Sequence, residues 1–111
     1  MKTVSVSKLE PTNPIAAYYV KTIKSWDREN RFSIKKNNKV KALYPIYLDD
    51  NFLACATIHF NKKASMAKIE MINASLNYYD QIKRDATKEL SEIVAEEYGT
   101  KDMVFSYIKC K

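Results

Sequence analysis

The spacing of apolar and polar residues predicts two helices and five to six strands in this 111-residue chain. Apolar side chains recur at helical spacing from residue 16 to 26 and again from 79 to 98, whereas most other segments alternate. The predicted order is β-α-(β)-β-β-β-α-β. Hairpin-length turns give antiparallel neighbours, and the long second helix permits a parallel crossover. We therefore expect an α+β fold with two main helices and a mostly antiparallel sheet.

The two predicted helices have recognisable ends and one apolar face each. Thr12 or Asn13 can cap the first helix, and Pro14 suits its first turn. Gly99 stands where a glycine commonly follows the last helical residue, so the second helix is expected to end at Tyr98. The faces predicted to pack on the sheet are Ala16, Tyr19, Val20, Ile23 and Trp26 in the first helix and Tyr79, Ile82, Ala86, Leu90, Ile93 and Val94 in the second.

Five segments alternate as half-buried strands do, and a sixth, "RFSI" at residues 31–34, is an optional short strand. The five segments are residues 3–9, 40–48, 52–60, 66–72 and 101–110. Pro45 lies within the second of these segments. Because proline has no amide donor for the ladder, it predicts an edge position or a bulge there.

Length and composition indicate one globular domain, residues 1–111, with 46% hydrophobic and 29% charged residues. The longest uncharged stretch, Phe52 to Phe60, has the length of a strand and not of a membrane span. The first residues contain no apolar run of signal-peptide length. We therefore expect a cytoplasmic protein that does not interact with a membrane.

The cysteines and the single histidine offer little chemistry. Cys55 and Cys110 are too few for a disulfide framework, and with one histidine no metal site is expected. Cys55 and His59 would share a strand face but lie roughly 13 Å apart, too far for a nucleophile–base pair. We interpret Cys55 as a small core residue.

Residues 44–72, "YPIYLDDNFLACATIHFNKKASMAKIEMI", resemble the central meander of the GNAT acetyltransferase fold. The helix "YYDQIKRDATKELSEIVAEEYG" and the following "KDMVFSYI" are similar to that family's coenzyme-binding helix and its next strand. The resemblance covers most of the chain and implies a GNAT-like fold with acetyl-CoA as cofactor. It implies a general base at Glu70 and a coenzyme pyrophosphate at the strand-to-helix junction, where the candidate residues are Asn73, Ser75, Asn77 and Tyr78.

The junction itself departs from the family pattern. The family carries a Gln/Arg-x-x-Gly-x-Gly/Ala motif there, whose amides hold the pyrophosphate at a helix N-terminus, and glycine keeps that space free. Here the junction reads "NASLNYYDQ", without glycine. Asp80 would repel a pyrophosphate, and Asn77, Tyr78 and Tyr79 can fill its space. The departures predict that no cofactor is bound.

Basic residues predominate in the first part of the chain. Residues 1–68 carry thirteen Lys or Arg and five Asp or Glu. If the turns that hold them lie at one end of the sheet, they form a basic patch for an anionic partner. We define this predicted basic patch as Arg28, Arg31, Lys35, Lys36, Lys39, Lys41, Lys62 and Lys63. A lysine-rich surface with no dedicated partner is the alternative interpretation.

Two functions are consistent with these features. The first is a small non-enzymatic binding protein that engages an acidic protein or nucleoprotein, by analogy with inhibitors or accessory factors of phages and mobile elements. Nucleic acid is a less favoured partner, because the chain has sixteen lysines but only three arginines. The alternative is a minimal GNAT-like N-acetyltransferase that uses acetyl-CoA and is completed by a homodimer through the C-terminal strand.

Overall fold

The computed structural model describes residues 1–29, 31–32 and 42–110, which form two helices and five strands. The elements are β1 (Val4–Val6), α1 (Ala16–Trp26), β2 (Tyr44–Leu48), β3 (Asn51–Asn61), β4 (Met66–Asn73), α2 (Tyr79–Tyr98) and β5 (Met103–Lys109). The predicted α+β order is confirmed for these residues. Of the optional strand "RFSI", Arg31 and Phe32 are not in a strand, and the rest lies outside the described residues.

The strands form one sheet in the order β1-β2-β3-β4-β5. The first four strands pair antiparallel, and β5 pairs parallel to β4. The connection between the two parallel strands runs through α2, as the long helix in the sequence predicts. The carboxyl ends of β4 and β5 therefore lie at the same edge of the sheet as the start of α2.

The two faces of the sheet are covered by different helices. The predicted apolar face of α2 packs on one side, where Ile82, Ala86, Leu90 and Val94 are fully buried. On the other side, Ile23 of α1 belongs to a second core cluster. The strand residues in that second cluster are Cys55, Ile72 and Ile108. Alternation along the strands thus gives the sheet two apolar faces, one for each helix.

The first helix begins later than the sequence predicts. Ala16 is its first residue, and the N-cap residue Ile15 has no side-chain cap. The Oδ1 of Asn13 accepts a hydrogen bond from the amide of Ile15 at 3.1 Å, which closes a local turn before the helix. The prediction that Thr12 or Asn13 caps the helix was therefore wrong, because the side chain of Asn13 stabilises this turn instead.

Pro45 lies on an inner strand, so of the two predicted alternatives the edge position was wrong, whereas a register shift does occur next to it. It pairs with Cys55 of β3, while its carbonyl oxygen accepts from the amide of Ser7 at 3.0 Å. In an antiparallel ladder the nitrogen and carbonyl of one residue point to the same neighbour. The missing donor of Pro45 therefore faces Ser7, just beyond the end of β1, and the register shift comes next, between Ile46 and Tyr47.

The second helix ends as predicted. Gly99 follows Tyr98 with φ of 65°, in the left-handed region, and its amide donates to the carbonyl of Ala95 at 3.1 Å. Glycine adopts this conformation without the steric penalty of a Cβ atom. Among the described residues, no helix is both long and apolar enough to span a membrane.

Candidate functional site

The junction between β4 and α2 is held by the side chain of Asn73. This residue is 2% exposed. Its Nδ2 donates to the carbonyl oxygen of Tyr79 at 3.3 Å, and its Oδ1 accepts from the amide of Ser75 at 2.9 Å. One buried amide side chain thus connects the end of the strand to the first residue of the helix and satisfies a backbone donor between them.

The side chain of Ser75 accepts a hydrogen bond from a second backbone amide of the junction. Its Oγ accepts from the amide of Tyr78 at 3.0 Å, and Ser75 itself is buried. Tyr78 is the N-cap residue of α2, and no side-chain hydrogen bond caps the helix there. A phosphate at a helix N-terminus is bound by free amides. Here the amides of Ser75 and Tyr78 are already taken by side chains of the same chain.

The two parallel strands stay paired up to this junction. Their register runs to Asn73 opposite Lys109, and the amide of Cys110 then donates to the carbonyl of Asn73 at 3.1 Å. In open sheets, ligands bind in the crevice outside the carboxyl ends of parallel strands. No opening exists between β4 and β5, so a ligand at this edge has to lie outside the strand ends.

The predicted junction residues therefore divide into two groups. Asn73 and Ser75 are buried and form the hydrogen bonds just described, whereas Asn77 and Tyr78 are exposed. Of the three residues expected to fill the junction, Asn77 and Tyr78 are exposed and Tyr79 is partly buried, while the hydrogen bonds within the turn come from Asn73 and Ser75. Asp80 lies in the first turn of α2, where the sequence places it.

Lysine side chains lie over tyrosine rings near the start of α2, a feature that sequence reasoning missed. The Nζ of Lys109 is 4.8 Å from the ring centroid of Tyr79, and the Nζ of Lys2 is 5.6 Å from that of Tyr78. A third such contact joins Lys83 of α2 to Tyr107 of β5 at 4.3 Å. These contacts connect residues far apart in the sequence, so no local pattern predicts them.

A cleft lies outside the carboxyl ends of β4 and β5, next to the end of α1. It has a volume of about 310 Å³ and is lined by Ser25, Trp26, Arg28, Ala74, Leu76 and Cys110. A smaller cavity of about 220 Å³ adjoins it and is lined by Trp26, Arg28, Glu29, Arg31 and Cys110. The two cavities share three of these residues, so we treat them as one and name it the α1-end cleft.

The structure separates the described residues of the predicted basic patch. Arg28 and Arg31 line the α1-end cleft, whereas Lys62 and Lys63 follow β3 at the opposite end of the sheet. The length of β4 places these ends roughly 23 Å apart. The positions of Lys35, Lys36, Lys39 and Lys41 lie outside the described residues. Lys62 and Lys63 thus do not form one surface with the two arginines.

The turn after α1 is organised by a buried carboxylate. Asp27 is 2% exposed, and its two oxygens accept from the amides of Arg31 and Phe32, each at 2.8 Å. The guanidinium of Arg31 donates from Nη2 to the carbonyl of Lys109 at 3.1 Å. Phe32 is fully buried in the cluster under α1. These hydrogen bonds therefore connect the turn that lines the α1-end cleft to the end of β5.

Glu70, the candidate general base, lies away from this cleft. Its Oε1 is 3.8 Å from the Nε2 of His59 on the neighbouring strand. Glu70 is two residues before Ile72 and shares the sheet face that α1 covers, but it does not line the cleft. The described residues include no group of three or more side chains suited to hold a metal ion.

The two thiols differ in environment. Cys55 is completely buried, and burial raises the pKa of its thiol to about 12. Cys110 is partly exposed in the α1-end cleft, and burial together with the charge of Asp27 raises the pKa of its thiol. Both cysteines are free. The interpretation of Cys55 as a small core residue is confirmed.

A scan against protein-family models and a search of curated proteins found no match to this sequence. Among solved structures, the fold is similar to an aminoglycoside acetyltransferase from an uncultured soil metagenomic sample, crystallised with trehalose. The TM-score is 0.55 with 11% identity, over 93% of this chain and 76% of that one. The chain has a GNAT-like fold. A ribosomal-protein-alanine N-acetyltransferase from Brucella melitensis biovar Abortus 2308 is similar too. The TM-score is 0.54 with 11% identity, over 95% of this chain and 81% of that one.

These similarities confirm the resemblance that the sequence carries. At 11% identity they establish the GNAT-like fold, while the activity has to be argued from the site. The site of this chain combines a filled strand-to-helix junction with a separate cleft at the end of α1. Both features lie at the edge of the sheet where the GNAT resemblance implies a coenzyme.

Proposed function

We propose that this protein is a non-enzymatic binding protein built on a GNAT-like fold, and that it takes no cofactor. The single observation that carries the proposal is the filled junction. The side chains of Asn73 and Ser75 already accept from two backbone amides of the junction, those of Ser75 and Tyr78, and strand pairing continues to Lys109. An anion that used these two amides would first have to displace hydrogen bonds of about 1 kcal/mol each.

The partner we propose is an acidic protein or nucleoprotein surface. The support is a basic surface at the end of α1, where Arg28 and Arg31 are both exposed. Lys35, Lys36, Lys39 and Lys41 follow a few residues later in the sequence. Complementary charge mainly accelerates and orients association, so the expected binding weakens with added salt.

A second candidate function is a minimal N-acetyltransferase that uses acetyl-CoA. The comparisons favour this candidate, because both similar structures are acetyltransferases and are covered over most of their length. Lys2 and Lys109 beside the start of α2 add a specific observation, since ammonium groups there could meet the phosphates of a coenzyme. For this candidate function, we propose that a homodimer formed through β5 completes the enzyme.

Titration with acetyl-CoA separates the two candidates. For a binding protein without cofactor, calorimetry shows no heat of binding and the melting temperature stays unchanged. For an acetyltransferase, micromolar binding raises the melting temperature, because a ligand that binds only the native state stabilises it. Lys109→Glu should then weaken coenzyme binding, whereas Lys101→Glu, an exposed change outside the junction, should not.

Charge reversal tests the proposed partner surface. Arg28→Glu combined with Lys35→Glu and Lys36→Glu should lower recovery of the partner from a lysate and remove its salt sensitivity. Lys62→Glu with Lys63→Glu is the matched control, because these lysines lie at the other end of the sheet. Equal loss with both sets, or no loss with either, would contradict a partner surface at the end of α1.

A further inference from the structure

The α1-end cleft is a concave feature of the structure, distinct from the charged surface proposed above. It lies outside the carboxyl ends of the parallel strands β4 and β5, where ligands of open sheets are commonly found. Its main cavity of about 310 Å³ reaches the lower end of the size range of small-molecule sites. The adjoining cavity of about 220 Å³ extends it towards the arginines.

Arg28 is the cationic group that this cleft offers to a ligand. It lines both cavities, is exposed, and forms no salt bridge with any residue that the structure describes. Arg31 is already engaged, because its Nε lies 3.4 Å from Glu29 and its Nη2 donates to Lys109. A guanidinium binds a carboxylate through two parallel hydrogen bonds. Within the described part of the chain, Arg28 therefore has its full donor set available.

The remaining lining of the main cavity is largely apolar. The indole of Trp26 forms one wall and is held in place by Phe52, whose ring centroid is 4.9 Å away. Ala74 and Leu76 also line the cavity, and Leu76 is 67% exposed. The exposed leucine and the packed indole together provide surface that an apolar group would cover on binding.

We propose that the α1-end cleft binds a carboxylate that carries an apolar body, with the carboxylate on Arg28 and the apolar body between Trp26 and Leu76. The carboxylate of Glu29 lines the outer cavity, so a singly charged acid fits better than a dianionic phosphate. This chemistry is shared by free aromatic acids and by the C-terminal residue of a peptide. The proposal goes beyond the proposed function, because it holds whether or not acetyl-CoA binds.

Trp26 makes the proposal directly measurable, because it is the only tryptophan of the chain. The probes are 3-phenylpropionate, a short peptide that ends in phenylalanine with a free carboxylate, and the same peptide with an amidated end. We expect saturable changes in tryptophan fluorescence with the acid, the free peptide, or both. Binding of the acid assigns a small-molecule source, and binding of the peptide alone assigns a protein terminus.

Two variants test whether the fluorescence change depends on Arg28. Arg28→Gln should weaken binding about tenfold, the loss expected for one charge-assisted pair. Arg84→Gln is the control, because Arg84 is also exposed but lies on α2 beside Asp85. Both changes are at the surface and leave the core intact, which thermal unfolding can verify. The proposal is overturned if no probe gives saturation, if the amidated peptide binds as well as the free one, or if Arg28→Gln binds normally.

Discussion

The side chain of Asn73 donates a hydrogen bond to the carbonyl oxygen of Tyr79 at 3.3 Å, across the turn between β4 and α2. The same side chain accepts from the amide of Ser75 at 2.9 Å. The residue that the sequence offers as a coenzyme contact is thus an internal structural group. An anion-binding loop needs donors that point outward, whereas two amides of this junction, those of Ser75 and Tyr78, donate to side chains of the junction itself.

Asn73→Ala should lower the free energy of unfolding by about 2–3 kcal/mol, because it leaves the buried amide of Ser75 without its acceptor and removes the hydrogen bond to the carbonyl of Tyr79. Urea unfolding with an unchanged m-value provides the measurement. Asn77→Ala is the matched control, since Asn77 is exposed in the same turn and its loss should stay within about 0.5 kcal/mol. Similar small losses for both variants would show that Asn73 does not hold the junction.

Gly99→Ala should destabilise the protein by about 1–2 kcal/mol through the backbone alone. The φ of Gly99 is 65°, and a Cβ atom added there would meet nothing within 4 Å. The expected loss therefore comes from the local backbone conformation and not from a clash with the surrounding protein. Gly99→Asn should be less destabilising, because asparagine tolerates the left-handed region better than alanine. Equal losses for the two variants would contradict this explanation.

Local sequence patterns predicted most of the fold because each element carries its own signal. Ile82, Ala86, Leu90 and Val94 recur at helical spacing and are buried, and Gly99 ends the helix as expected. The prediction failed where a side chain forms a different local hydrogen bond from the one expected. The side chain of Asn13 bonds to a turn before α1 and so cannot cap the helix.

The candidate site was less predictable because it depends on which distant segments meet. Arg28 and Lys62 are both basic turn residues in the sequence, but the path of the chain places them at opposite ends of the sheet. The contact of Lys109 with Tyr79 joins the end of β5 to the start of α2, two segments that are far apart in the sequence. The α1-end cleft likewise brings Trp26, Leu76 and Cys110 together from three separate segments.

A thiol reagent should distinguish the two cysteines of the folded protein. Cys110 is partly exposed and should be modified, although more slowly than a free thiol because burial raises its pKa. Cys55 is fully buried and should react only after unfolding. Mass spectrometry of the labelled protein counts the modified sites. With Cys110→Ser the folded protein should remain unlabelled, and rapid labelling of that variant would contradict the buried position of Cys55.

The stability of the protein should fall at alkaline pH, in part because of Cys55. Burial raises the pKa of this thiol from 9.0 to about 12 in the folded state. Below about pH 9 both folded and unfolded states keep the proton, so the thiol has no effect on the pH dependence. Between pH 9 and 12 the unfolded state loses the proton while the folded state retains it. The free energy of unfolding then decreases by up to about 1.4 kcal/mol per pH unit.

Cys55→Ala removes this contribution, so its stability should decline less steeply than that of the unsubstituted protein above about pH 9. Burial and the hydrogen bond with Tyr19 also raise the pKa of Tyr47, to about 12. Both proteins keep Tyr47, so the difference between their curves reports the thiol together with its smaller effect on the pKa of Tyr47. Urea unfolding at pH values below and above about 9 measures how the free energy of unfolding of each protein changes with pH. Parallel curves would show that Cys55 ionises equally in the folded and unfolded states.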